Sequence, residues 1–278
     1  MLAGRKTVVT THDATIHLYP ELYAPAGRFF YDHLYGWSAR HATRVITTTE
    51  AVKQDVARCY AVPPERIRVV PLAIDDAFKP RMGDPKVAEL RHRYLGSSDP
   101  FFLFVGKFTI RRNVPKLIQA FAELKRRAEL PHKLLMIGLN TTELNVTALA
   151  AEAGVADHVV HREYISDEDL ALLYNAAEVF IMPSTFETLS LPVMEAQASG
   201  TPVISIDTVG LRETTGGAAL LIRRAEIPEI VEAMHKLATD QALRRELSAK
   251  GLAQAGTFSW QRCSAETLAV LAEAARLP

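Results

Sequence analysis

Between residues 183 and 204 the chain reads PSTFETLSLPVMEAQASGTPVI, and two carboxylates, Glu187 and Glu195, stand eight residues apart in it. Paired carboxylates invite an acid–base reading, but the spacing argues against hydrolysis. Along one helix eight residues cover about 12 Å, whereas a hydrolytic pair needs roughly 5–9.5 Å. Nor do both belong on one helix. Proline fits only a first helical turn, so Pro192 places the helix start near Ser190-Leu191. Glu187 is then on the loop and Glu195 inside the first turns. Two separate contacts to one long ligand is the better reading. The free N–H groups of Leu191, Val193 and Met194 would meet an anion such as a diphosphate. A single Glu is most often a solvated surface residue, so each gains weight only from its neighbours.

A loop that opens a helix after a strand is where an α/β sheet places its ligand, and the rest of the chain supplies the sheet. Apolar runs predict strands over 7–11, 44–48, 67–71, 101–105, 133–137, 159–161, 179–182, 202–206 and 219–222. Helical patterns fill 27–42, 86–95, 114–128, 142–153, 167–176, 226–238, 240–255 and 260–275, and Thr49 caps another helix running to about Tyr60. This alternation argues an α/β fold with parallel sheets covered on both faces. The stretch PLAIDDAFKPRMGDP, 71–85, has no periodicity and reads as an interdomain linker. Six strands after about residue 98 suffice for a complete doubly wound domain. The three before the linker make half a sheet, so the chain is expected to begin partway through a domain.

Composition sets limits. A length of 278 residues suggests two domains. Equal numbers of basic and acidic residues, 32 of each, leave no electrostatic footprint for nucleic acid. Cys59 and Cys263 offer neither a disulfide framework nor a metal spacing, which fits a reducing compartment. No apolar run reaches the roughly 18 residues of a membrane span, and MLAGRKTVVTTHD lacks a signal peptide's apolar region. The expected location is the cytoplasm.

In its ordered motifs the chain resembles the metal-independent retaining glycosyltransferases of the group 1 class (family 4), which have the GT-B architecture. The resemblance runs through VVTTHD (8–13), RVITTTEAVKQDV (44–56), PPERIRVVPLAIDDAFKP (63–80), FLFVGKFTIRRNVPKLIQAF (102–121), ISDEDLALLYNAAEVFIMPS (165–184), the Glu187–Glu195 pair and FSW (258–260). It implies an α/β protein of two facing Rossmann-like domains, the N-terminal one incomplete. Residues 1–77 would be the partial acceptor-side domain, 78–97 the linker and first helix, 98–258 the nucleotide-sugar donor domain, and 259–278 a helix crossing back to the N-domain.

The resemblance also implies roles. Glu195 would bond the ribose hydroxyls and Glu187 the transferred sugar. Lys107 and Arg112, flanking GKFTIRRN, would hold the diphosphate, with Arg111 able to compensate for a Lys where the family usually carries Arg. Gly106, Gly138, Tyr164, Ile165, Thr188, Leu189, Ser190 and Leu191 would complete the donor site, with Gly138, Tyr164 and Ile165 beside the base. Thr188-Leu189-Ser190 replaces the family's frequent Gly-Phe-Gly. Glu213 matches a family Glu near the donor. His12 would line the far side of the sugar, making His12, Glu187, Lys107 and Arg112 the catalytic set. No metal and no cofactor is expected, the donor being a UDP- or GDP-linked sugar used as substrate. The implied reaction is hexosyl transfer to a saccharide or lipid-linked acceptor with retention, as in polysaccharide biosynthesis, with peripheral contact at the inner face of the membrane. The alternative is a truncated or degenerate nucleotide-sugar-binding paralogue without turnover.

Overall fold

The computed structural model describes residues 6–277 with the exception of 24, 82 and 143. Residues 1–5, part of the stretch read as lacking a signal peptide, lie outside the described residues. Contacts divide the chain into two compact units, Met1–Ala73 with Phe258–Pro278, and Ile74–Thr257.

In the first unit the elements are β1 (Val8–Thr10), α1 (Thr15–Leu18), α2 (Pro25–His41), β2 (Arg44–Thr47), α3 (Glu50–Tyr60) and β3 (Ile67–Val69). The strands run parallel in the order β1-β2-β3, with Val9 opposite Val45 and Ile46 opposite Arg68. The periodicity misses α1. It is a single turn fixed locally by Asp13, whose Oδ1 accepts the Thr15 N–H at 2.8 Å. Thr49 caps α3 as its sequence predicts, accepting the Val52 N–H at 3.1 Å. Val52, Val56 and Tyr60 of α3 bury against Val45 and Ile67.

The second unit continues with α4 (Pro85–Leu95), β4 (Phe101–Val105), α5 (Val114–Arg127), β5 (Lys133–Ile137), α6 (Val146–Glu152), β6 (Val159–Arg162), α7 (Asp167–Ala176), β7 (Val179–Met182), α8 (Leu191–Ala198), β8 (Val203–Ile206), α9 (Val209–Thr215), β9 (Leu220–Ile222), α10 (Ile227–Thr239) and α11 (Gln241–Ala255). Its six parallel strands lie in the order β6-β5-β4-β7-β8-β9. Counted from β4 this is 3-2-1-4-5-6, the order of a dinucleotide-binding Rossmann sheet. The FFLFV of β4 shows no alternation because all five residues are buried, as a strand covered on both faces requires. Phe121 of α5 meets Phe102 edge-on at 6.3 Å between centroids.

The last helix, α12 (Trp260–Arg276), belongs to the first unit. Its Val270 packs with Ile46 and Val70. Its Glu273 accepts from Arg44 at 3.0 Å and from Arg68 Nε at 3.0 Å. Those bonds from Arg44 and Arg68 hold the Glu273 carboxyl below its ordinary range.

Two sequence expectations shift. Residues 78–97, read as linker and first helix, lie in the second unit. Asn175 of α7 accepts the Arg81 N–H at 2.7 Å and donates to the Lys79 carbonyl at 3.0 Å. The helix expected over 142–153 begins only at Val146. Asn140 turns the chain first, its Oδ1 accepting from Thr142 N–H at 3.2 Å, and Asn145 then caps α6 through the Ala148 N–H at 2.9 Å.

Candidate functional site

The strand order reverses between β4 and β7, so the loops leaving their carboxyl ends part and open a crevice. Those loops are 106–113 and 183–190, the two segments richest in candidate residues. Gly106 and Gly138 leave β4 and β5 at φ of +149° and +150°, a region open to glycine and costly for other residues. A Cβ on Gly138 would stand 2.1 Å from the Gly106 carbonyl oxygen. Gly138 is therefore required by the close crossing of two loops.

The 106–113 and 183–190 loops are stitched together. Asn113, at φ +54°, donates to the Pro183 carbonyl at 2.9 Å and to Thr185 Oγ1 at 3.0 Å. Thr185 N–H returns a bond to the Arg111 carbonyl at 2.8 Å. This stitching places Arg111 and Arg112 beside Glu187. Glu187 Oε1 lies 2.8 Å from Arg111 Nη1, 3.1 Å from Arg112 Nη1 and 2.8 Å from Ser184 Oγ. Arg111 also donates to the Phe186 carbonyl. Glu187 is only 5% exposed. Burial pulls the Arg112 guanidinium down from its ordinary value, the Glu187 charge opposes that, and Arg111 adds to it. The three contacts that Arg111, Arg112 and Ser184 make with Glu187 all fall on Oε1. On its backbone side the same loop is held by Thr208 Oγ1, which donates to the Glu187 carbonyl at 2.6 Å.

Glu195 sits one turn into α8 and is half-buried. The Tyr174 hydroxyl donates to its Oε2 at 2.9 Å. Burial raises the Glu195 carboxyl above its ordinary value, the bond from Tyr174 opposes this, and Asp167 and Asp75 push it higher.

The sequence reading separates Glu187 on sugar from Arg112 on diphosphate, whereas here they form one ion-paired cluster with Arg111 and Ser184. Lys107 stands apart, exposed, with no ion-pair partner among the described residues. Of the three amides expected to meet an anion, Met194 N–H is already bonded to the Ser190 carbonyl at 3.1 Å. Ser190 Oγ is buried without a partner among the described residues, Thr188 and Leu189 are half-buried, and Leu191 is exposed. Tyr164 is 83% exposed and Ile165 buried. Below them His161, absent from the sequence reading, bonds the Gly138 carbonyl at 3.0 Å and stacks on Phe108. Glu213 is exposed on α9, and His12 is exposed on the loop after β1, in the first unit. Sequence reasoning also missed Ser184, Tyr174, Thr208 and Asn113. Tyr174 lies 21 positions before Glu195 on a different helix, so no local pattern ties the two. Among the described residues no group of three or more His, Cys, Asp or Glu is placed to hold a metal ion, and no helix is long and apolar enough to cross a membrane.

A Rossmann-ordered sheet with carboxylates, guanidinium groups and a helix start at its switch point has the arrangement at which doubly wound α/β sheets place their ligands. Residues 89–254 match the family described as glycosyl transferases group 1, and residues 1–73 match the glycosyl transferase 4-like domain. The chain belongs to the group 1 glycosyl transferases. It is 29% identical over 265 residues to the O-antigen chain mannosyltransferase B of Escherichia coli, covering 95% of this chain and 69% of that protein. It is 32% identical over 241 residues to the MMP alpha-(1->4)-mannosyltransferase of Mycolicibacterium hassiacum, covering 85% of this chain and 55% of that protein. The chain thus spans between about half and seven tenths of these relatives' length. Among solved structures, Anabaena Alr3699/HepE in complex with UDP and glucose superposes with a TM-score of 0.82 at 17% identity, over 97% of this chain and 72% of that one. Sucrose-phosphate synthase of Thermosynechococcus elongatus gives 0.80 at 23% identity, over 96% and 67%. At such identities these likenesses establish the fold, the GT-B class with two Rossmann-like units.

Proposed function

We propose that this chain takes a hexosyl group from a UDP- or GDP-linked sugar and passes it, with retention and without a metal ion, to a saccharide or lipid-linked acceptor. The observation that carries the proposal is the switch-point cluster. Two carboxylates are each held by the protein through one oxygen, and each leaves the other oxygen without a described partner. Two guanidinium groups pair with Glu187, and α8, which carries Glu195, starts four residues after it. In this reading Glu195 accepts from the ribose and Glu187 from the transferred sugar. Lys107, Arg111, Arg112 and the opening amides of α8 stabilise the charge that builds on the diphosphate as the glycosidic bond breaks. Fixed cations of this kind can serve where a divalent ion otherwise would. The acceptor attacks the face from which the diphosphate leaves, and a leaving oxygen takes its proton. His12 is part of the proposed catalytic set, so His12→Ala would lower turnover and leave diphosphate affinity intact. The relatives named as mannosyltransferases support a hexosyl donor.

Calorimetry with UDP, GDP, ADP and their sugars, with and without EDTA, tests the reading. One nucleoside diphosphate should bind equally well in EDTA, and Glu195→Ala should weaken it at least about tenfold, since a hydrogen bond to a charged group is worth about 1.5–3 kcal/mol. Binding abolished by EDTA, or indifferent to Glu195, would reject it. The anomeric configuration of the product, read by NMR, tests retention.

The lipid side of the acceptor has its own support in α2. This helix exposes Phe29, Phe30, Tyr31, Leu34, Tyr35 and Trp37. Its only acid, Asp32, is paired with His17 at 3.1 Å, leaving Arg28 and Arg40 as exposed charges. Aromatic and aliphatic groups beside cations suit an anionic lipid surface. Co-sedimentation with anionic but not zwitterionic vesicles, lost on Phe30→Ser with Trp37→Ser, is the expected result.

A further inference from the structure

Tyr174 is the most completely enclosed ionisable group near the candidate site, at 0% exposure. Its ring is wedged between Phe78 and Phe180, each 5.6 Å away between centroids. Its own carbonyl accepts from Thr201 Oγ1. Both ends of the residue are therefore fixed, and the phenol points to one place, Glu195 Oε2 at 2.9 Å. No other described residue donates to Glu195, which is half-buried. Glu195 is a flexible side chain on the short helix α8, and that bond is the one described hydrogen bond that orients it.

We infer that Tyr174 is a positioning residue for nucleotide recognition: its enclosed hydroxyl holds Glu195 Oε2 and aims Oε1 at the ribose. The inference rests on the reading of Glu195 as the ribose contact. Three further groups bear on the pair. Asp167 at the start of α7 and Asp75 act on the carboxylate, and Arg112 acts on the phenol. Burial pushes the phenol well above its ordinary value and Glu195 pushes it further, so Tyr174 stays a donor throughout the working range. Burial and the two aspartates favour the protonated form of Glu195, and the Tyr174 bond works against them. Removing that bond should therefore move the acid limb of nucleotide binding to higher pH.

The test is a cycle of Tyr174→Phe, Glu195→Gln and the double variant, titrated with UDP and GDP and with their 2′-deoxy forms. Folding is checked by the unfolding transition, and Tyr174→Met, which fills the space without a donor, is the second variant. Tyr174→Phe should weaken the ribonucleotide about tenfold, as for loss of one bond to a charged group, and weaken the 2′-deoxy form much less. The double variant should bind no more weakly than Glu195→Gln alone, and the acid limb in Tyr174→Phe should rise. Additive losses, an intact ribose preference and an unmoved acid limb would make Tyr174 a core residue and overturn the inference while leaving Glu195 in its role. If wild type binds neither UDP nor GDP, or Glu195→Gln binds like wild type, the donor reading fails and takes this inference with it.

Discussion

Two guanidinium groups on adjacent residues and one hydroxyl converge on one oxygen of Glu187, which is nearly buried. Without the carboxylate, Arg111 and Arg112 would face each other with no counter-charge. Breaking a buried pair by removing one partner costs about 3–5 kcal/mol, so Glu187→Ala should lose stability of that order in urea unfolding. Glu187→Gln should cost less, because it keeps a polar atom for Ser184. A loss below about 1 kcal/mol for the alanine variant would mean that solvent screens the cluster. Glu195 makes a prediction of opposite sign in two assays. Burial raises its carboxyl above the ordinary 4.5. Its contribution to the stability of the free protein is therefore greatest below that value and is lost as pH rises through the raised one. In the proposed role Glu195 accepts from the ribose as a carboxylate, so affinity should fall as pH drops through the same interval. Calorimetry from pH 4.5 to 8 should place this limb above the ordinary Glu range in wild type and abolish it in Glu195→Gln.

Among the elements, α9 shows how packing overrides propensity. Gly210 lies in its first turn, and replacing glycine by alanine in a helix ordinarily gains up to about 1 kcal/mol. Here the added Cβ would stand 1.9 Å from the Thr188 carbonyl oxygen. Overpacking of this kind costs about 1–3 kcal/mol. Gly210→Ala should therefore destabilise the protein, push the 187–189 loop outward and weaken nucleotide-sugar binding more than binding of the nucleoside diphosphate. A stabilised variant with unchanged binding would mean that the loop yields freely. Such close approaches explain what could be read in advance. β4, β5 and β7 are buried apolar runs, Thr49 caps α3, and Ser166 caps α7 by accepting the Asp169 N–H at 3.1 Å, so these elements follow from local sequence. The Glu187 loop and the α8 start were legible from Pro192. The Tyr174–Glu195 bond and the Arg111–Arg112–Glu187 cluster were not, because their partners come from separate loops and helices joined only by the parallel sheet. The late start of α6 was hidden because asparagine turns compete with helical hydrogen bonds at Asn140 and Asn145.

At the scale of the whole molecule the two units have cores of their own, and they are unequal. The first is built around Val45, Val52, Val56, Tyr60 and Ile67, with a small cluster of Ile46, Val70 and Val270 under α12. The second runs from Leu90 to Leu247 through β4, β5, β7, β8 and β9, with Val159 and Val160 of β6 packed against it. Since burial of apolar surface is the main source of stability, hydrogen exchange should protect the amides of β4, β5 and β7 more strongly than those of β1, β2 and β3. Every residue proposed to hold the nucleotide, from Gly106 to Glu195, falls within the second unit. A ligand that binds only the folded form adds about 2.7 kcal/mol at one hundred times its Kd. UDP or GDP at that level should slow exchange throughout β4, β5 and β7 and leave β1–β3 nearly unchanged. Equal protection of both sheets by the nucleoside diphosphate alone would show that nucleotide affinity draws on the first unit as well, and would move part of the binding energy out of the switch-point cluster.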